Sequence, residues 1–365
     1  MDAKRYLERD WSTLAPELLN LIARNLSEIS DFVRFRAVCK TWRFSTPITD
    51  LPPQFPWILG IRWNNNYERD RLLYSVNFRK VHTILAPKYL RKRFLGSSQG
   101  YILCDLTDQD PSAHNAHKFS LLNPLNNHEI LLPAWDLGLY SNIYSIGPLQ
   151  CKIGEYVVFV ECVGFQDYKL AFCCLGQDKW CELKLDYDGA FRHFLLKSLL
   201  FVVEVDTGVT KVSDLFTGNL AFVIPPVENY MQDMDMNMAM EMEAVYFIVE
   251  ASGDFLLVFL RSDPSLNVYD DRFDVYKLDL KGSNSPCWVK VHNIGNQALF
   301  IDKHGCFALE AGDFSEVKAN CIYYNVSYSK IMMIDIETGD RELLECPSIG
   351  IECWFVPNLQ RLLVQ

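Results

Sequence analysis

Two hydrophobic periods divide the chain. Between residues 16 and 43 apolar positions recur at steps of three and four; beyond residue 56 they alternate or run in short blocks. In PELLNLIARNL (16–26), Leu18, Leu21, Ile22 and Leu26 share one side of a helix. Ser12 and Thr13 offer caps, Pro16 suits a first turn, and Glu17 suits the positive end of the helix dipole. In DFVRFRAVCKTWR (31–43), Phe32, Phe35, Val38, Cys39 and Trp42 form a second apolar stripe, with Arg34, Arg36, Lys40 and Arg43 mostly on the other faces. Ser30 and Asp31 can cap this segment, which breaks near Val38. Pro47, Pro52, Pro53 and Pro56 in PITDLPPQFP then end any helix and mark a linker over 47–56.

The second period predicts strands. Runs such as GYILCDL, KFSLLN, EYVVFVECV, SLLFVVEV, FLLVFLR and KIMMIDI are separated by turn chemistry such as NPLNN, DTG, TGN, SGD and ETGD. KFSLLNPLNNHEILLP and KIMMIDIETGDRELLECP read as hairpins, and similar hairpins return at a period that suits propeller blades. The expected fold is therefore a small all-α unit followed by an all-β propeller of about six blades, with seven left open. IECWFV (351–356) is placed to close the ring against WILGI (57–61). The Met/acidic stretch 229–244, holding six of the nine methionines, reads as an insertion between blades.

Composition sharpens this picture. Half the chain is apolar (49%), ample for a packed core. No run of apolar residues is long enough to span a bilayer, and MDAKRYLERDW lacks the apolar stretch of a secretory signal. The expectation is a non-secreted, cytoplasmic or nuclear protein whose twelve cysteines stay reduced and act as small core hydrophobes. Residues 1–100 carry 17 Lys/Arg against 9 Asp/Glu, whereas 101–365 carry 18 against 37. That asymmetry argues for separate parts, and the acidic bulk argues against nucleic acid as a partner.

Candidate chemistry is sparse. SYSK (327–330) has the Ser-x-x-Lys spacing of an active serine but none of the companion motifs, and reads as a turn. His114 and His117 with Asp108 and Asp110 suggest metal ligands, yet Pro111 and the absence of a period favour a solvated loop. His82, His193, His292 and His304 have no acid at a recognisable spacing. The methionines of 229–244 have no Cys or His beside them to complete a Cu(I) site. The basic stretch 79–93, with Arg91-Lys92-Arg93, reads as a solvated edge of the first blade, where charge discourages strand pairing. No catalytic residue, cofactor or metal is expected.

STLAPELLNLIARNL followed by DFVRFRAVCKTWR resembles an F-box, the three-helix module that docks on the adaptor of cullin–RING ubiquitin ligases. Leu14, Glu17, Leu18, Leu19, Ile22, Val38, Cys39, Lys40, Trp42 and Arg43 stand at matching positions. The departure is Ala15, where the pattern has proline; here the proline is Pro16. GSSQGYILCDL, FSLLNPLNNHEILLP, YFIVEASGDFLLVFLR, DVYKLDL, NQALFIDKHGCFAL and KANCIYY resemble, in order, plant F-box proteins with a C-terminal KIB-type β-propeller. The resemblance implies an F-box over 10–46, the linker, and a propeller over 57–357. It implies the substrate-recognition subunit of an SCF-type E3 ligase, non-catalytic, with Leu14, Pro16, Leu18, Ile22, Val38, Cys39 and Trp42 binding the adaptor and the propeller binding a target protein. The alternative is a propeller scaffold whose F-box does not engage the ligase. Independently, three short helices cannot hide so many apolar side chains among themselves, so a partner or the propeller must cover some.

Overall fold

The computed structural model describes residues 10–362, apart from 64–68, 84–92, 107–115, 137–141, 153–154, 164–167, 184–190, 228–244, 262–271, 281–284, 303, 328 and 348. The Met/acidic stretch, the loop with His114, Asp108 and Asp110, and the centre of the basic stretch fall outside the described residues. Three helices come first: α1 (Pro16–Ala23), α2 (Ile29–Ala37) and α3 (Lys40–Ser45). The expected break near Val38 is present, with Val38 ending α2 and Cys39 capping α3.

The caps differ from expectation. Ser12 and Thr13 lie in a 3-10 turn (Trp11–Thr13) whose own cap is Asp10, while α1 starts after Ala15 with no side-chain cap. Pro16 at the first position supplies the start instead, because its fixed φ already suits a helix. α2 starts after Glu28. Ser30 donates to the Glu28 carboxylate at 2.5 Å, and Asp31 pairs with Arg34 at 2.9 Å.

Among the described residues, six sheets of four or five strands follow, arranged as blades, with a two-stranded pair, Ala116–His117 and Trp135–Asp136, beside them. Blade I runs in hydrogen-bonded order Gly350–Phe355, Trp57–Trp63, Arg69–Ser75, Lys80–Thr83, and blade II runs Arg93–Ser98, Tyr101–Asp105, Phe119–Asn123, His128–Leu131. Blade III begins with Asn142–Lys152, blade IV with Phe191–Leu196 and blade V with Val245–Ala251, each continuing through three antiparallel neighbours. Blade VI has five strands: Gly305–Glu310, Gln297–Asp302, Cys321–Ser327, Lys330–Asp335 and Arg341–Glu345. The inner strands contact one another in sequence around the ring. The fold is thus a six-bladed propeller.

The ring closes as the sequence suggests. Trp57 stands opposite Phe355 and Ile58 opposite Trp354, so the C-terminal strand becomes the innermost strand of the first blade. Asp302 at the end of its strand reinforces the seam. One of its oxygens accepts from the Trp354 backbone N–H at 2.7 Å, the other from His304 N–H at 2.7 Å. The Trp354 indole donates to the Ile301 carbonyl at 3.1 Å.

Blade VI departs from a plain meander. Its inner hairpin, Gln297–Asp302 with Gly305–Glu310, takes the place next to the axis. The chain then crosses over through Ala311–Asp313 and returns as Cys321–Ser327 parallel to Gln297–Asp302.

Middle strands such as Tyr101–Asp105 and Phe119–Asn123 are buried at every position, because each blade is covered on both faces. That explains their unbroken apolar runs. The turns are equally legible: Asp214 and Asp335 each accept N–H bonds from the residues two and three ahead, closing DLFTG and DIETG around glycines at φ +70° and +75°. Beyond the closing strand, the tail runs over blade II. The Asn123 amide donates to the Asn358 carbonyl at 2.8 Å, the Asn126 amide to the Leu359 carbonyl at 3.1 Å, and Leu362 N–H to the Tyr101 hydroxyl at 3.1 Å. Gly100 permits this approach, since a Cβ there would stand 2.5 Å from that of Asn358.

Candidate functional site

α1 is apolar on two sides. Leu19 and Ala23, one turn apart, are buried against the rest of the module, while Leu18 (49% exposed), Leu21 (60%) and Ile22 (40%) face solvent. The apolar face expected from Leu18, Leu21 and Ile22 is therefore the outward one, and the helix packs through the residues between them. A second uncovered group lies on α2 and at its end, where Val33 and Val38 are exposed. Phe44 on α3 is the most exposed of the large hydrophobic side chains among the described residues, at 83%, and Trp11 is exposed as well.

The stripe in DFVRFRAVCKTWR folds mostly inward. Phe32 is fully buried, and the rings of Phe35 and Trp42 lie 4.4 Å apart. The Trp42 indole donates to the Trp11 carbonyl at 3.1 Å, tying the leading turn to α3. The Cys39 sulfur accepts from Trp42 N–H at 3.5 Å, and the Thr46 hydroxyl donates to the Trp42 carbonyl at 2.7 Å. Of the seven residues expected to dock, Pro16, Leu18, Ile22 and Val38 are exposed; Leu14, Cys39 and Trp42 are half-buried, the last two engaged within the module. Spacing places Leu21 on the same face, although it is not among the seven; Val33, Phe44 and Trp11 are not singled out by spacing, because an apolar residue on a short helix carries no mark of inside or outside.

The module is seated on blade I. Ile29 is buried with Trp57, Leu59, Leu73 and Phe94 of the propeller. Beside it, the Lys80 ammonium meets the Glu28 carboxylate at 2.7 Å. Burial pushes the Glu28 carboxyl up, but the hydrogen bonds from Lys80 and Ser30 outweigh it and hold the group below its usual range. His82 stacks on Trp57 with ring centroids 4.5 Å apart, and burial, aided by the Lys80 charge, pulls its imidazole below the usual value. On the linker side, the Asn20 amide and the Arg24 guanidinium (3.1 Å) both reach Asp50. Phe55 anchors the end of the linker edge-on against Phe300 at 6.0 Å and Phe314 at 6.2 Å.

Other candidate chemistry has structural partners. His117 lies 3.4 Å from Asp105 and His193 lies 3.1 Å from Glu161, pairings across strands that no sequence spacing announces. Among the described residues, no group of three or more His, Cys, Asp or Glu side chains is placed to hold a metal ion. Ser327 of SYSK ends a strand of blade VI, with Tyr328 outside the described residues. Burial pushes the thiols of Cys321 and Cys346 up to about 11 and that of Cys173 up to about 12, which fits cysteines used as core side chains. No helix among the described residues is long and apolar enough to cross a membrane.

The module and ring have close counterparts among known proteins. The family model of KIB1-4 β-propellers matches residues 73–350. The chain belongs to the plant F-box proteins with a KIB-type β-propeller. It is 46% identical to the F-box protein SKIP23 of Arabidopsis thaliana over 83% of this chain and 81% of that protein. It is 25% identical to the F-box protein At2g26160 over 89% of this chain and 98% of that one. With the F-box/kelch-repeat protein KIB1 it shares 26% identity over 86% and 77% of the two chains. These relatives support a protein-recruiting, adaptor-type role for this F-box protein.

Proposed function

We propose that this F-box protein is the substrate-recognition subunit of an SCF-type E3 ubiquitin ligase. The module over 10–46 docks the cullin adaptor, the linker 47–56 holds the geometry, and the propeller over 57–357 binds the protein to be modified. Catalysis is by proximity: tethering raises the effective concentration of target lysines near the charged conjugating enzyme, and no residue of this chain makes or breaks a bond. Residence in the cytoplasm or nucleus follows from that role.

The observation that carries this reading is the double-sided apolar character of α1. Leu19 and Ala23 satisfy the module, and Leu18, Leu21 and Ile22 remain uncovered although blade I is already engaged through Ile29. Surface helices of monomers normally present polar residues on that side. The docking face is therefore centred on Pro16, Leu18, Ile22 and Val38, with Leu14, Cys39 and Trp42 supporting it.

The test is co-purification of the full-length chain with the cullin adaptor, beside a Leu18→Glu/Ile22→Glu variant. Truncating a docked anchor costs about 2 kcal/mol or more, so the double variant is expected to lose binding by well over tenfold while melting as the parent does. A well-folded parent that fails to bind would favour the scaffold reading, which the uncapped start of α1 at Ala15 keeps in play.

A further inference from the structure

Around the propeller axis, inner strands of blades I, II, IV, V and VI enclose a cavity of about 460 Å³. Its apolar wall includes Phe194, Leu196, Ile248, Phe307, Leu309 and Trp354. Polar groups converge on it from Ser98, Gln99, His304, Asn358 and Gln360. Two further walls come from outside the ring: the linker segment 48–54 (except Thr49 and Asp50) and the tail at Val356–Asn358 and Gln360.

Both outer walls are fixed in place. Phe55 pins the linker into the aromatic cluster of Phe300 and Phe314, and the Asn123 and Asn126 amides hold the tail by its carbonyls. The cavity is therefore preformed, which lowers the ordering cost of filling it. Its size falls within the range of roughly 300–1,000 Å³ found for small-molecule sites.

The charges decide what fits. Among the described residues no lysine or arginine lines the cavity, so none of them offers a permanent positive charge to an anion. The carboxylate there, Asp302, has both oxygens engaged by the backbone N–H groups of His304, Gly305 and Trp354, so a cation would have to displace those bonds. We propose that this cavity is a binding site for an uncharged small molecule, an apolar body bearing one or two hydrogen-bonding groups. The linker and tail flank it on two sides, which favours a compact molecule over a segment of a partner chain. An occupant there touches the ring, the linker and the tail together, so binding stabilises their mutual arrangement. The inference does not depend on adaptor docking.

The test uses the full-length chain and Prodan, an uncharged naphthalene ketone whose emission shifts to the blue in apolar surroundings. Saturable binding near one to one, with a rise in melting temperature of several degrees, is expected. Ala308→Phe, which fills the cavity from the inner strand of blade VI, and Gln360→Trp, at its exposed mouth, should each weaken binding at least tenfold. If Ala308→Phe fails to fold, Gln360→Trp carries the comparison. Leu18→Glu/Ile22→Glu should bind as the parent does. Absence of saturable binding by the folded parent overturns the proposal. So does binding that both cavity variants leave unchanged, or that only the α1 variant removes. Equal affinity for the anionic anilinonaphthalene sulfonate, with the same sensitivity to the cavity variants, would overturn the uncharged class.

Discussion

At the scale of single residues, the module engages within itself a side chain that the sequence marks for docking. Trp42 is one of the positions that carry the F-box resemblance, yet its ring lies on Phe35 and its N–H closes on the Trp11 carbonyl. Its removal therefore acts first on the module itself. Trp42→Phe is expected to cost about 1 kcal/mol for the lost hydrogen bond. Trp42→Ala should cost about 3 kcal/mol, the low end for a large core truncation because the ring is half-buried. Hydrogen exchange of the amides in Lys40–Ser45 would read both, with protection falling more in the alanine variant. Protection unchanged in Trp42→Ala would mean that the indole is a pure contact residue. Leu18 and Ile22, which the fold leaves exposed, look by their periodicity like ordinary core leucine and isoleucine.

At the scale of elements, the seam between α2 and blade I joins two units that the linker prolines separate in sequence. Ile29→Ala should loosen this seam by about 2–4 kcal/mol, since the side chain is buried among propeller residues. Its acid sensitivity follows from two groups. His82 is held below its usual value of 6.5, so the folded state binds fewer protons there than the unfolded state. Stability from that site is fully present above pH 6.5 and falls as pH drops toward the lowered value. Glu28, held below 4.5, adds stability that is present above that pH and is lost as pH falls through its own lowered value. Melting curves should therefore shift downward in two stages below pH 6.5. His82→Phe, which keeps a ring against Trp57, should diminish the upper stage, to which His128, also lowered by burial, contributes, and leave the lower one. An unchanged upper stage in that variant would assign it elsewhere.

At the scale of the whole molecule, closure governs everything. A propeller left open exposes the edges of its first and last blades, and the ring is shut here by Gly350–Phe355 pairing with Trp57–Trp63. Asp302 fastens that strand by accepting from buried Trp354 N–H. Asp302→Ala is expected to cost about 2–3 kcal/mol, because it leaves backbone donors without their charged acceptor. Denaturant titration should show a lower midpoint with an unchanged slope. Removing residues 350–365 should abolish the single cooperative transition altogether. A truncated chain that still melts cooperatively would show that the inner strand of blade I is dispensable.

Periodicity determined a good deal by itself. The switch from steps of three and four to short apolar runs separates helices from strands, and Asp-x-x-Thr-Gly turns mark hairpins because their hydrogen bonds are local. Even the closing pair was anticipated, since WILGI is the first strand-like run of the chain and IECWFV the last. What folding alone decided is whatever depends on contacts distant in sequence. Which side of α1 faces water, which histidines meet acids, the parallel crossover in blade VI and the cavity walled by linker and tail all arise when remote segments converge. Short helices and strands encode which positions are apolar, but the partner that covers each face is chosen only when the ring closes and the module settles on blade I.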